Sequence, residues 1–246
     1  ALRTPALRMV KDGSVLPSSQ YTRSATMGGV TLTGLVDARK ALALFDDGAS
    51  VVLQGLHRYW PPLTELVRDL ELTLGHPCQA NAYLTPPGSQ GFALHSDTHD
   101  VFVVQTHGTK DWEVHDGDVV NRILMEPGVS MYLPTGTPHA ARTQSDASLH
   151  VTIGINRTTW REVLVRQISR LLTDPDFEQP LPAGYHRDPE GFTAALASHV
   201  DRVRCLLDGA DVGALAAREI DRFATGRASA LRGGLVDRLL ISTLND

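Results

Sequence analysis

Residues 50–156 break into short apolar runs, separated by Gly, Pro, Asn and Asp, and this spacing limits the fold more than any other feature. "VVL" at 51–53, "QANAYL" at 79–84, "DVFVVQTH" at 100–107, "KDWEVH" at 110–115, "GVSMYLP" at 128–134 and "SLHVTIGIN" at 148–156 each have strand length and a strand-like composition. Several short strands at regular spacing mark a sandwich or barrel. Gly108-Thr109, between "DVFVVQTH" and "KDWEVH", reads as the turn of a hairpin. The first 35 residues, rich in Gly, Ser and Thr, read as extended segments and turns.

Two helices interrupt the β pattern before residue 76. "DARKALALF" has helical spacing and stops at Asp47-Gly48. Pro61 and Pro62 open a second helix, with Leu63, Leu66, Val67, Leu70 and Leu74 on one face and Gly75 closing it. After Trp160 the texture changes. Val163, Leu164, Ile168, Leu171 and Leu172 recur helically until Pro175, and Asp188-Pro189 begins a helix striped by Phe192, Leu196, Val200, Val203 and Leu207. "DVGALAAREIDRF" makes a third. The predicted organisation is a β domain over 1–158 followed by a helical region over 159–246.

The stretch "GFALHSDTHDVF", residues 91–102, raises the chemical question. Read as one strand, it sends His95, Asp97 and His99 to a single face. A carboxylate and imidazoles on an inward face are costly to desolvate, so the face is wet or holds a cation. His139 follows His95 by 44 residues, in the turn "PTGTPHAA". Two imidazoles and one carboxylate form a facial triad that leaves adjacent positions open, which suits non-haem Fe(II). His-x-Asp alone is weak evidence; joined to a turn histidine inside an all-β segment it is stronger. His99 is left as a group beside the ligands or in the substrate pocket, Asp100 points to the opposite face, and His107 and His115 read as surface residues.

Composition removes other classes. The net charge of −5 offers no broad footprint for nucleic acid. No apolar run approaches a membrane span. Two cysteines, Cys78 and Cys205, are too few for a disulfide framework and fit a reducing compartment, so the cytoplasm is expected. The chain begins with Ala1, which suggests a trimmed N-terminus.

"NAYLTPPGSQGFALHSDTHDVFVVQTHGTKDW" with "YLPTGTPHAA" resembles the JmjC/cupin-type 2-oxoglutarate oxygenases, and within them the ribosomal-oxygenase group. The resemblance covers residues 48–160 closely and the tail loosely. It implies a double-stranded β-helix (jelly-roll) followed by a helical dimerisation region, with His95, Asp97 and His139 as ligands of Fe(II). It further implies that Lys110 binds the distal carboxylate of 2-oxoglutarate, and that Asn81 and Tyr83 line the co-substrate pocket. The residues agree on Lys110: a lysine facing inward beside Trp112 and Val114, on the strand paired with the metal-bearing one, needs an anion. Some members carry a serine near the co-substrate on the strand after the distal histidine; Gly154 stands there, so that contact is not carried over. The family's winged-helix-like domain is truncated, reduced or absent in this chain.

The resulting expectation is an Fe(II)- and 2-oxoglutarate-dependent dioxygenase, using dioxygen to hydroxylate a protein side chain, with a ribosomal protein as the candidate substrate and a homodimer as the assembly. A hydroxylase of a small molecule or peptide natural product is the alternative within the enzymes. A non-catalytic metal-binding cupin is the alternative outside them, and Lys110 discriminates against it.

Overall fold

The computed structural model describes residues 2–143 and 145–227. They fall into two compact units, residues 2–157 and Thr158–Arg227; the rest of the expected helical region, 228–246, lies outside the described residues.

In the first unit the chain runs β1 (Leu7–Lys11), β2 (Ser14–Val15), β3 (Thr22–Met27), β4 (Val30–Val36), α1 (Ala38–Asp46), β5 (Ser50–Leu53), α2 (Pro61–Leu74) and β6 (Cys78–Thr85). It continues through β7 (His95–Ser96), β8 (Asp100–His107), β9 (Lys110–Asp116), β10 (Val119–Met125), β11 (Ser130–Leu133), β12 (Pro138–Thr143) and β13 (Ser148–Ile155). A seven-stranded sheet has the order β11-β8-β13-β6-β5-β1-β2, and a four-stranded sheet the order β10-β9-β12-β7. From β6 to β13 the chain crosses between these sheets at every connection except β9 to β10. Two antiparallel sheets joined in this way form the jelly-roll.

Alternation along each strand divides the buried side chains. Cys78, Ala80, Ile153 and Ile155 point outward and pack under Leu63 and Val67 of α2. Val101, Val103, Trp112, Val114, Met125 and Leu133 fill part of the space between the sheets. The helices end where their caps dictate. The Asp37 side chain accepts from Arg39 N and Lys40 N at the start of α1, and α2 has Pro at its first position and Gly75 in the left-handed region at its end.

Two sequence readings are corrected here. Residues 91–102 are not one strand: β7 stops at Ser96 in the four-stranded sheet and β8 starts at Asp100 in the seven-stranded sheet. Asp97–His99 make the crossing, so period-2 alternation does not govern them. Asp100 anchors the far side, its carboxylate accepting from Tyr132 Oη at 2.7 Å and from Thr135 N at 2.8 Å, with Arg157 Nε at 3.2 Å. Gly108-Thr109 is likewise no hairpin, because β8 pairs with β11 and β13 while β9 pairs with β10 and β12. Fully buried Gln105 ties this connection instead: its Nε2 lies 2.8 Å from His107 O, 2.9 Å from Gly108 O and 2.8 Å from Ser148 Oγ. The hairpin is instead β9–β10, turning at Gly117-Asp118.

The second unit contains α3 (Trp160–Leu171), α4 (Pro189–Asp208) and α5 (Val212–Gly226). Thr159 and Glu162 form a reciprocal cap on α3, and Asp188 and Asp211 cap α4 and α5. Glu219 of α5 accepts from Arg166 Nη2 at 2.8 Å and Gln167 Nε2 at 2.6 Å on α3. Among the described residues, no helix is long and apolar enough to cross a membrane.

Gly108 combines a φ of +61° with a position where an added Cβ would lie 2.1 Å from Ala147 O. Gly108→Ala is therefore expected to cost roughly 2 kcal/mol or more. Urea denaturation compared with Gly117→Ala, which has φ +57° but open space around it, separates the steric cost from the backbone cost.

Candidate metal centre and anion cavity

Between the two sheets lies a cavity lined by residues from both. The four-stranded sheet contributes His95 from β7, His139 from β12 and Trp112 and Lys110 from β9; Asp97 comes from the crossing after β7. β12 pairs with β7 on one side, setting His139 opposite His95, and with β9 on the other, setting His139 opposite Val114. Lys110 therefore sits on the strand beside that of His139, whereas the sequence reading had pointed to the strand of His95.

One nitrogen or oxygen from each of His95, Asp97 and His139 falls within 4.8 Å of the others. The His139 Nε2 to Asp97 Oδ2 distance is 3.7 Å, and the two imidazole centroids are 4.5 Å apart. His95 Nδ1 lies 2.8 Å from Ala93 O and His139 Nδ1 lies 2.9 Å from Thr137 O. Carbonyls at both Nδ1 atoms fix the tautomer that carries its proton there, leaving each Nε2 lone pair available. Burial pulls the His139 imidazole below its usual range, reinforced by His95 and opposed by the Thr137 carbonyl and Asp97. A dication fits this donor set: two neutral imidazoles and a carboxylate on one side, with the cavity on the other.

The inner end of the cavity is cationic. Lys110 is 3% exposed, donates from Nζ to Thr85 Oγ1 at 3.1 Å, and lies 3.3 Å from His150 Nδ1. Thr85 also accepts from Ser50 Oγ at 3.0 Å. No ion pair to Lys110 occurs among the described residues, and burial pulls its ammonium down to about 7. His150 is held well below the usual imidazole range, first by burial and then by Lys110 and His139. Its ring stacks on Tyr83 (centroids 4.8 Å apart, planes 1° apart) and meets Trp112 edge-on at 5.3 Å. Trp112 Nε1, also buried, has no hydrogen-bond acceptor among the described residues. An ammonium without a carboxylate and an indole N–H without an acceptor suit an oxygen-rich anion.

The structure brings together five of the six residues singled out in the sequence: His95, Asp97, His139, Lys110 and Tyr83 all line the cavity. Asn81 does not. It shares a strand face with Tyr83, one step farther from Thr85, but its Oδ1 accepts from Gly55 N at 3.0 Å and it lines a separate cleft. His99 rests on bare Gly154, where an added Cβ would come within 2.6 Å of the imidazole. His107 is exposed, and His115 is paired with Glu113 at 2.8 Å. Of the "PPGSQG" loop, Ser89 is tied to Thr143 of β12 and Gly91 lines the cavity.

Sequence reasoning missed His150, Thr85, Thr152 and Ser50. The signal was present for two of them. In "SLHVTIGIN", residues 148, 150, 152 and 154 share one strand face, and the apolar alternates Leu149, Val151 and Ile153 share the other.

A profile of the JmjC domain matches residues 63–122 and 115–163. The chain is 35% identical over 148 residues to the bifunctional lysine-specific demethylase and histidyl-hydroxylase NO66 of Branchiostoma floridae, a match spanning 57% of this chain and 24% of that protein. It is 29% identical over 169 residues to ribosomal oxygenase 1 of Danio rerio, spanning 57% of this chain and 31% of that protein. The matches thus span about a quarter to a third of these relatives' length. The crystal structure of the Escherichia coli ribosomal oxygenase YcfD superposes with a TM-score of 0.50 at 20% identity, covering 72% of this chain and 46% of that one, which speaks to the fold. Residues 63–163 thus match the JmjC domain profile, and the similar proteins carry the names NO66 and ribosomal oxygenase, the group that the sequence resembles.

The two buried bases predict how stability follows pH. Lys110 titrates near 7 when folded against its ordinary 10.5, and His150 well below 6.5. In both windows the unfolded chain binds the extra proton, so stability rises with pH. The ligand-free protein is expected to gain stability between pH 7 and 9. Lys110→Met should flatten that slope in urea titrations at the two pH values.

Proposed function

We propose that this chain is an Fe(II)- and 2-oxoglutarate-dependent dioxygenase that hydroxylates a protein side chain. The observation that carries the proposal is Lys110: a buried ammonium without a carboxylate partner, in the cavity whose other wall bears His95, Asp97 and His139. A metal cupin that only stores or senses has no use for a cation placed there. Bound Fe(II) would supply the redox chemistry that couples oxidative decarboxylation of 2-oxoglutarate by dioxygen to hydroxylation of a C–H bond.

The protein's part is binding, orientation and exclusion of water. His95, Asp97 and His139 hold the metal from one side, their imidazoles fixed by Ala93 O and Thr137 O. Lys110 neutralises the distal carboxylate of 2-oxoglutarate, with Thr85 holding the ammonium in place. Tyr83, stacked on His150, walls the co-substrate channel. A protein substrate is supported by the relatives named as histidyl-hydroxylase and ribosomal oxygenase, and a ribosomal protein is the candidate they suggest.

The same reading assigns 1–158 to catalysis, and the helices after it to a homodimer in the cytoplasm. Leu164 (54% exposed), Leu196 (53%) and Ile220 (70%) leave apolar surface on all three helices for a partner to cover. Free Cys78 and Cys205 accord with a reducing compartment.

Each of His95→Ala, Asp97→Ala and His139→Ala is expected to abolish tight Mn(II) binding, because a three-ligand site has no spare, while His99→Ala retains it. Isothermal titration of Mn(II) reads this; loss on His99→Ala with retention on His139→Ala would mean the ligands are misassigned. Lys110→Ala leaves a carboxylate buried and unpaired, at a cost of roughly 3–5 kcal/mol, so 2-oxoglutarate affinity falls at least about a hundredfold while Mn(II) affinity holds. Anaerobic 2-oxoglutarate titration of the Mn(II)-loaded variant checks this. An unchanged dissociation constant would remove the case for an oxygenase.

A further inference from the structure

The inward face of the seven-stranded sheet does not end at the metal cavity. Within the cavity, Val52, Tyr83 and His150 stand opposite one another on β5, β6 and β13. One step farther from Thr85, Asn81 stands opposite Thr152, and Gln54 follows the pair Leu53–Ala82. A further step brings Gln79, opposite Gly154. These three amides form the floor of a second cleft of about 780 Å³, whose walls include Arg3, Arg58 and Tyr59.

Three properties of this cleft select its occupant. Side-chain amides offer both donors and acceptors, which matches the alternating N–H and C=O of an extended polypeptide. No Asp or Glu is among the lining residues. Neither Arg3 nor Arg58 forms an ion pair among the described residues, although the chain as a whole carries a net charge of −5. Arg58 lies against Gly55, its Nε 3.4 Å from where a Cβ would stand, beside the backbone N–H already bound by Asn81.

We infer that this cleft seats the substrate segment flanking the hydroxylated residue, and that it selects a segment with an acidic side chain placed against Arg3 and Arg58. The inference deepens the oxygenase reading and rests on it for the nature of the ligand. Guanidinium groups bind carboxylates through paired N–H donors, whereas a lysine- or arginine-rich flank would meet like charge. The target residue therefore stands beside an acid even where the substrate protein is basic overall.

The test is fluorescence anisotropy of the whole chain, loaded with Mn(II) and 2-oxoglutarate, with labelled central-histidine peptides that differ only in Glu, Gln or Lys flanks. The Glu-flanked peptide should bind most tightly, by about fivefold for each arginine engaged, and high salt should erase the difference. Arg3→Glu combined with Arg58→Glu should reverse the order of the Glu and Lys peptides. Equal binding of all peptides by the unsubstituted chain, no binding of any, or a Glu preference that survives the double substitution would overturn the inference. Anaerobic 2-oxoglutarate titration of the same preparation separates the two claims. A chain that binds 2-oxoglutarate but ignores flank charge fails here alone. A chain that does not bind it fails as an oxygenase, while its flank preference is still read directly.

Discussion

Burying an ammonium with no carboxylate partner among the described residues is costly, and the site is organised around it. Desolvation pulls Lys110 down to about 7, and only Thr85 and His150 stand within hydrogen-bonding reach among the described residues. Folding tolerates this because Lys110 opens β9, a strand held on both sides by β10 and β12. Trp112 and Val114, farther along β9, pack into the inter-sheet core, and the lysine is only 3% exposed. A dianionic ligand would turn that cost into affinity. Stability surrendered by the empty protein is recovered only when the ligand arrives, which is how binding sites commonly depart from what is best for folding.

The crossing of strands between sheets places the metal ligands and the lysine in one cavity. β7 and β12 are neighbours, so His95 and His139 face each other; β9 adjoins β12, so Lys110 joins the same wall. The opposite wall supplies Tyr83, Thr85 and His150 from the paired strands β6 and β13. Within that sheet, pairing through β6 brings Ser50 of β5 and Thr152 of β13 to the same cavity.

Much of this was legible in the sequence, and the failures share one cause. Short apolar runs between turn residues found β5, β6, β8, β9, β11 and β13, and helical spacing with Pro61, Gly75, Asp188 and Pro189 marked both ends of α2 and the start of α4. His95, Asp97, His139 and Lys110 were legible because charged groups among apolar alternates demand an explanation. What local pattern does not encode is which sheet a strand joins. Gly108-Thr109 therefore looked like a hairpin, and residues 91–102 like a single strand, although both are crossings. The resemblance implies Asn81 beside Tyr83 at the co-substrate, but its Oδ1 accepts from Gly55 N and it lines the separate cleft. His150 was legible only as one of the alternates Ser148, His150 and Thr152 on a strand face, a pattern that does not say what the face meets. Its role emerges only when β13 is laid beside β6 and its ring falls on Tyr83.

The central claim is that the triad and Lys110 serve one reaction, and the most direct measurement is succinate formed from 2-oxoglutarate by the purified chain. The account predicts succinate production that requires Fe(II) and dioxygen together and disappears in Lys110→Ala, even though that variant still binds metal. Tight Fe(II) binding at His95, Asp97 and His139 with no oxygen-dependent succinate, or succinate production unaffected by Lys110→Ala, would contradict it.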